Sequence, residues 1–385
     1  MHRLEERVMD VQETAKGACE RIEEAIGSFR VKGEPRFCER YGNGHINDTF
    51  LLSTADPEAR GNIRRYILQR MNTHVFKDPK GLMQNVSGVT AFLREQILRN
   101  GGDPDRETLT LIKTKSGQDY YIDKIGSWWR MYLFVTDAVS YDMAENAEDF
   151  FQSARAFGHF QRLLDKYPVE KLTETIPDFH HTPKRFAAFC QALEKDVCSR
   201  KAGVQKETAF IMARKNEFSL VMDKLHNGEI PWRVTHNDTK LNNILLDKET
   251  KKALCVIDLD TIMPGASVFD YGDSIRFGAN TAAEDEQDLD KVSLSLPLFE
   301  AYTKGFLEGC QGSLTEEETA LLPWGAKLMT LECGMRFLTD YLEGDTYFRI
   351  HRPDHNLDRA RTQFALAADM EQKWEQMKQI IQQSQ

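Results

Sequence analysis

No stretch of this chain approaches the roughly 20 consecutive apolar residues that a membrane-spanning helix needs, so no membrane segment is expected. Basic residues are outnumbered: 50 Lys and Arg face 60 Asp and Glu, a formal net charge of −10. That balance argues against general nucleic-acid binding, which leaves a basic footprint. It leaves room for a local basic pocket. No C-x-x-C pair occurs, and the seven cysteines are scattered and odd in number. Neither a zinc ribbon nor a disulfide framework follows from such a pattern. Reduced thiols fit a cytoplasmic protein, and Cys255, inside an apolar run, reads as a core filler. The opening MHRLEERVMD is charged throughout and has no apolar centre, so no secretory leader is expected. Internal repeats and long low-complexity linkers are missing too.

What is present describes a folded chain. The 385 residues suffice for two or three domains, and 41% hydrophobic with 29% charged content fits a globular protein. Val8, Val11, Ala15, Ile22 and Ile26 recur at helical spacing, so residues 1–30 are expected to be helical, with Gly27 as a stop. RFCERYGNGHINDTFLLST then reads as strand, glycine turn, strand. NIRRYILQRM, TLTLIKTK, DYYIDKIG and WWRMYLFV read as further strands, interrupted by one helix over 86–100. From Ser140 on, the pattern turns helical. Phe150, Ala154, Phe157 and Phe160 form an aromatic stripe that reads as core. Helices are also expected in IPDFHHTPKRFAAFCQAL, around 210–225, in LFEAYTKGFLEGC and through the C-terminus. Only NILLD and KALCVID look like strands there, joined as a hairpin. The order predicts an α+β fold: a strand-rich lobe over 1–139 and a helical lobe over 140–385.

The stretch WRVTHNDTKLNNILLD, residues 232–247, carries the chemistry. Its HNDTKLNN satisfies the H-x-D-x-x-x-x-N pattern of kinase catalytic loops. Asp238 precedes Asn243 by five positions, and Asp258 closes the apolar run ALCVI. A hairpin between NILLD and KALCVID brings the three toward one edge. Phosphoryl transfer needs such a set: one carboxylate to take or orient the acceptor's proton, and an oxygen with a second carboxylate to hold Mg2+ against the phosphates. Asp270, Asp273 and Arg276 read as scaffolding, with Asp273–Arg276 an i, i+3 pair. Pro264–Gly265 reads as a turn. Asp260 either assists the metal or caps the turn after it.

On these residues the sequence resembles the aminoglycoside phosphotransferase and choline kinase superfamily, which shares the bilobal protein-kinase-like fold. It is more closely similar to the N-acetylhexosamine 1-kinases through YGNGHINDTF, LQRMNTHVFKDP, FVTDAVSYD, THNDTKLNN, VIDLDTIMPG, DYGDSIR and FLTDYLEGD, which span most of the chain in order. The resemblance implies Asp238 as catalytic base, Asn243 and Asp258 as Mg2+ ligands, and His236 as a brace of the loop. Lys240 falls where many protein kinases keep a lysine that touches the γ-phosphate; a solvated side chain is the plainer alternative.

On the nucleotide side, Gly42 and Gly44 sit at a strand turn where small residues let amides approach phosphate. The resemblance places the adenine edge against the backbone of Phe134, Val135 and Thr136. The third-strand lysine of this fold is missing: Gln69 takes its place beside Arg70, and alternation sends the two to opposite faces. Either Gln69 serves the phosphates as a neutral group, or Arg70 or another cation such as Lys77 takes the role.

On the acceptor side, CGMRFLTDYLEGD is expected to be a helix ending near Gly344. Arg336 and Asp340 share a face, either as a surface ion pair or, as the resemblance favours, as contacts to a sugar. Tyr341, Asp345 and Phe277 are further candidates. The expected activity is ATP- and Mg2+-dependent phosphorylation of the anomeric hydroxyl of an N-acetylhexosamine, with no nucleic-acid, membrane or protein partner. Two alternatives stay open. One is a kinase of the same fold for choline, homoserine or an aminoglycoside; the other is a nucleotide-binding regulatory module without turnover, for which Gln69 is the only support.

Overall fold

The computed structural model describes residues 17–42, 46–141 and 146–385, in two compact units that divide after Thr136. Val8, Val11, Ala15 and Gly44 lie outside the described residues.

In the first unit, helix α1 covers 17–28. It is followed by strands β1 (Glu34–Arg40), β2 (Asp48–Ala55) and β3 (Ile63–Arg70), helices α2 (Pro79–Arg99) and α3 (Pro104–Glu107), and strands β4 (Tyr121–Ile122) and β5 (Trp128–Leu133). The strands form one antiparallel sheet in the order β1-β2-β3-β5-β4. Ala25, Ile26 and Phe29 of α1 and its exit pack on Leu52, Tyr66, Leu68, Trp129 and Met131 of the sheet. Two expectations change here. TLTLIKTK is no strand; it pairs with its neighbours through isolated bridges, Leu111 to Tyr132 and Thr114 to Phe29, and through single backbone bonds such as Ile112 N–H to the Met131 carbonyl. The helix expected from Val86 starts seven residues earlier, because Asp78 caps the Gly81 N–H at 2.9 Å and Pro79 takes the first position, where a missing N–H costs nothing.

The second unit opens with β6 (Ala138–Val139) and runs through α4 (Ala147–Leu163), α5 (Thr182–Lys195), α6 (Gln205–Ala213) and α7 (Leu220–His226). Strands β7 (Arg233–Thr235), β8 (Ile244–Asp247), β9 (Ala253–Val256) and β10 (Met263–Gly265) follow. Helices α8 (Ser267–Gly278), α9 (Leu296–Cys310), α10 (Glu316–Ala320), α11 (Leu322–Glu343), α12 (His355–Gln372) and α13 (Trp374–Ser384) complete it. The expected hairpin is β8–β9, with β6 as a third strand. A second pair, β7 with β10, was not anticipated. Pro264–Gly265 therefore lies in a strand rather than a turn. Both strands have three residues, too short for alternation to show. Phe150, Ala154, Phe157 and Phe160 are buried as the stripe predicts, and Cys255 is buried as well. The IPDFHH segment precedes α5 instead of joining it, since the His181 ring caps the Lys184 N–H. None of the helices among the described residues is long and apolar enough to cross a membrane.

Helices α8 and α11 cross with almost no side chain between them. A Cβ on Gly272 would come within 2.2 Å of the Gly325 carbonyl oxygen, and one on Gly325 within 2.3 Å of that of Val268. Both obstacles are backbone, so neither can swing aside. Gly272→Ala is expected to lower stability by about 1–3 kcal/mol, the usual cost of overpacking. Urea denaturation gives the number; an unchanged midpoint would mean that the helices part freely.

Candidate active site

The site is built on the exit of β7. Arg233 anchors that strand: its guanidinium meets Glu318 at 2.7 Å and Asp165 at 2.8 Å, all within the helical unit. The chain then turns into loop 236–243 over the first turn of α8. There Asp270, 1% exposed, accepts the backbone N–H of His236 at 2.9 Å, that of Asn237 at 2.8 Å and Gln161 Nε2 at 2.8 Å. Two consecutive amides can face one carboxylate because Asn237 adopts φ +65°, a left-handed conformation that asparagine tolerates. Burial pushes the Asp270 carboxyl above its ordinary pKa, and the bonds it accepts from the His236 and Asn237 amides and from Gln161 act against that shift.

The rest of the loop is tied from several sides. His236, fully buried, directs Nε2 at the Ile257 carbonyl at 2.9 Å and Nδ1 at the Asp238 N–H at 3.3 Å. A carbonyl only accepts, so Nε2 carries the proton. Phe157 and Phe160 meet the ring edge-on at 5.5 and 6.1 Å. Thr261 Oγ1 donates to the His236 carbonyl at 2.6 Å, and Asn237 Nδ2 to that of Thr261 at 2.8 Å. Thr239 Oγ1 donates to the Asp270 carbonyl and Ser274 Oγ to that of Thr239, each at 2.7 Å.

Asp238 emerges from this scaffold with its side chain 31% exposed. Lys240 Nζ lies 2.9 Å from Oδ1. Burial works to lower Lys240, but the charge of Asp238 outweighs it and holds the ammonium above its ordinary pKa. Asn243 Nδ2 donates to Asp238 Oδ2 at 3.0 Å and to its carbonyl at 2.8 Å. With the amide nitrogen so engaged, the ligand atom that Asn243 can offer is Oδ1. Asp258 follows directly on the rung that links Ile257 N–H to the Asn243 carbonyl at 2.9 Å. It is exposed, at φ +56°, a sparsely populated conformation for a non-glycine residue that gathers at functional sites. Asp273 and Arg276 form the expected pair at 2.8 Å. Burial works to raise Asp273, and Arg276 with His180 and Lys240 outweighs it and holds the carboxyl below its usual range. Asp260 is buried.

The described residues expected on the nucleotide side lie in the first unit, apart from Lys240. Gly42 turns the β1–β2 connection at φ +74°. The ring of Tyr41 beside it meets Phe134 edge-on at 5.9 Å. The Phe134 N–H is bonded to the Arg65 carbonyl, Val135 is buried, and the Thr136 carbonyl takes Arg106 at 3.3 Å. At the third-strand position Gln69 is bonded to Thr49 Oγ1 at 3.0 Å and receives Arg130 Nε at 2.9 Å. Arg130, opposite Gln69 on β5, is thus the cation at that place. The sequence does not point to Arg130, because the register that joins the two strands is not written in either one. Arg70 pairs with Asp48, and Lys77 is exposed.

The acceptor-side candidates separate. Arg336 and Asp340 form no ion pair among the described residues. Asp340, 3% exposed, accepts the backbone N–H of Thr346, Tyr347 and Phe348 and the amide of Asn356, at 2.8–2.9 Å. Its acceptor positions are thus filled from within the fold. Arg336 instead lies 5.5–5.9 Å from the rings of Phe179, Tyr347 and Phe348. Asp340 fixes the segment that carries two of those rings. Tyr341 is buried and stacks under Arg200 at 4.3 Å, and Arg200 also pairs with Asp345. Phe277 is 38% exposed at the end of α8. Sequence reasoning missed Gln161; the available signal was a glutamine directly after Phe160 on the apolar stripe of α4.

Comparison with known proteins gives the class. Residues 38–302 match the phosphotransferase enzyme family, APH, and the chain belongs to it: a small-molecule phosphotransferase. Solved structures share the fold at low identity. A microcompartment-associated aminopropanol kinase matches at TM-score 0.58 and 16% identity, over 94% of this chain and 98% of its own. An aminoglycoside phosphotransferase from Alicyclobacillus acidocaldarius matches at 0.58 and 14%, over 94% and 96%. A spectinomycin phosphotransferase in complex with ADP and spectinomycin matches at 0.50 and 14%, over 87% and 93%.

The Asp270 clamp makes its own test. Asp270→Asn keeps the size but sets an amide NH2 against donors. A hydrogen bond to a charged group contributes about 1.5–3 kcal/mol, so a loss of at least about 2 kcal/mol is expected in urea denaturation. A variant as stable as the wild type would deny the clamp its role.

Proposed function

We propose that the protein is an ATP- and Mg2+-dependent kinase that phosphorylates the anomeric C1 hydroxyl of an N-acetylhexosamine, N-acetylglucosamine or N-acetylgalactosamine. Asp238 takes the hydroxyl proton. The O1–Pγ bond forms as the bond from Pγ to the bridging oxygen breaks, and the electron pair leaves with ADP. Lys240 and Asn243 hold the two oxygens of Asp238 in place, so the base is oriented before the acceptor arrives. Asn243 Oδ1 and the Asp258 carboxylate fit Mg2+, which is bound through one or two carboxylates together with substrate phosphates. When bound, the ion neutralises phosphate charge. Arg130, held against Gln69, supplies positive charge on the nucleotide side.

The observation that carries the acceptor reading is Arg336. Its guanidinium is framed by three rings and makes no hydrogen bond or ion pair among the described residues. Five donors in a fixed fork are therefore left for a ligand oxygen. Arg185 is close enough that Arg336, after burial, is the next cause of its lowered pKa. Two guanidinium groups disfavour a cationic acceptor such as choline or an aminoglycoside and suit hydroxyl and acetamido oxygens. Phe277 offers an apolar face.

Mg2+-dependent ADP release, measured first without acceptor and then with a panel of sugars and amino alcohols, tests the reading. Turnover is expected with N-acetylhexosamines, and a preference for a cationic acceptor would contradict it. Asp238→Asn is expected to remove most turnover while ATP binding persists; near-normal kcat with the active acceptor would refute the base assignment. Arg336→Ala is expected to cost about 1.5–3 kcal/mol in kcat/KM for the sugar, with KM for ATP unchanged. Loss of a surface ion pair would cost at most about 1 kcal/mol of stability and leave sugar kinetics alone.

A further inference from the structure

The fold of the first unit brings two of the seven free cysteines to one place. Cys38 stands directly opposite Leu52 in the β1–β2 register, and residues so opposed in an antiparallel pair share one face of the sheet. Leu52 belongs to the core that Ala25, Ile26 and Phe29 complete from α1 and its exit, so its face is the one that α1 covers. Arg40, two residues further along β1, agrees. It is opposite Phe50, its guanidinium lies 6.0 Å from that ring, and Phe50 packs against the same core. Cys38 therefore faces α1. It stays exposed because β1 is an edge strand, bonded to β2 alone.

Helix α1 supplies the second thiol. Cys19, Ile22 and Ile26 follow one another at spacings of three and four, which is one helix face, and Ile22 and Ile26 lie on the sheet. The roll of α1 is fixed by Glu24, which accepts the Tyr121 hydroxyl at 2.6 Å from β4, the opposite edge of the sheet. At about 100° per residue, Cys19 falls on the other margin of the buried stripe, toward β1. It is exposed too. The electrostatics agree with this placement: burial pushes the Cys38 thiol up to about 11, and Cys19 is the next cause.

We infer that Cys19 and Cys38 are a redox-sensitive dithiol that closes to an intramolecular disulfide and ties α1 to the edge strand β1. The oxidant is a low-molecular-weight disulfide of the glutathione type. The Cys19 thiolate attacks one of its sulfurs; a bond to Cys19 forms, the small disulfide's own S–S bond breaks, and one small thiol departs. The Cys38 thiolate then attacks the Cys19 sulfur and expels the second small thiol. Two protein thiols are oxidised, one small disulfide is reduced to two thiols, and the protein's two thiol protons end on those products. Cys19 acts first because Cys38 is held as the thiol at neutral pH. Capping Cys19 also removes the charge that helps to hold Cys38 up. Small thiols reverse the exchange by the same route. In reducing compartments disulfides of this kind are transient and serve as sensors.

The tether acts on a strand with a task. β1 ends at Arg40, and Gly42 turns the chain at φ +74° just beyond it. β1 is bulged between Pro35 and Phe37 and paired on one side only, so it can follow a pull at Cys38. Closing the bond displaces the strand from which the Gly42 turn departs and weakens nucleotide binding there. That consequence rests on the kinase reading above; the bond itself does not.

The whole chain is equilibrated in glutathione buffers of rising oxidised fraction, quenched by alkylation and mapped by peptide mass. A Cys19–Cys38 linked peptide is expected, with two of the seven thiols lost, no glutathione retained on either residue, and full recovery with dithiothreitol. Cys38→Ser is expected to keep glutathione on Cys19, since nothing is left to expel it. Cys198, the other exposed cysteine, lies in the second unit and is expected to be capped without forming a link. No linked peptide at any oxidised fraction, or glutathione persisting on Cys19 in the wild type, would overturn the inference. In the ADP-release assay, oxidation is expected to raise KM for ATP by about fivefold or more, the lower end of usual coupling between sites, and reduction to restore it, with Cys19→Ser unmoved by either. A mapped bond with unchanged KM for ATP removes the effect on the nucleotide alone. A mapped bond in a protein that turns over no acceptor leaves the dithiol standing and removes the kinase reading.

Discussion

The interaction on which the site depends is the seat of the Asp270 carboxylate under two consecutive backbone amides. Loop 236–243 has no regular secondary structure until its last turn, so its N–H groups need partners from elsewhere. Asp270 provides for two of them at once and takes Gln161 with its remaining capacity. Each such charge-assisted bond contributes about 1.5–3 kcal/mol, against about 0–1 for an exposed ion pair. None of the bonds to Asp270 involves Asp238 or Lys240, so the backbone at His236 and Asn237 is held independently of that pair. Asp238 can exchange partners during a reaction without the backbone following.

The α8 helix transmits this rigidity. Its first turn carries Asp270, its next Asp273 and Arg276, and its glycine at 272 lets it lie directly on α11. The same α11 carries Glu332 to His180 and Arg336 to the rings of Phe179, Tyr347 and Phe348. The proposed base, held through Asp270, and the proposed acceptor contact Arg336 are thus tied to two helices that touch backbone to backbone. A shift of one relative to the other would meet carbonyl oxygens rather than pliable side chains.

Much of this was legible in the sequence because it is local. The H-x-D-x-x-x-x-N spacing, the β8–β9 hairpin, the Asp273–Arg276 pair and the glycine stop of α11 each depend on residues a few positions apart. What was not legible depends on register and on distant partners. Gln161 reaches Asp270 across 109 positions, and Arg130 meets Gln69 across 61. His180 was read as part of a helix, and its bond to Glu332, 152 positions away, is invisible to any local pattern. Asp340 shows the converse. Its helical position shared a face with Arg336, but the backbone amides that fold back over the helix end claimed it first. The β7–β10 pair escaped for a simpler reason, since three-residue strands hold too few side chains to display a period.

Whether Asp270 orders loop 236–243 decides how the site is held. Amide hydrogen exchange at His236 and Asn237 measures this in the unmodified protein. Both amides are bonded to a buried carboxylate, so both are expected to exchange only with global unfolding, at the free energy that denaturation gives for the whole helical unit. Exchange of either at the rate of an open surface loop would contradict the account, because the proposed base would then ride on a segment that the fold does not hold.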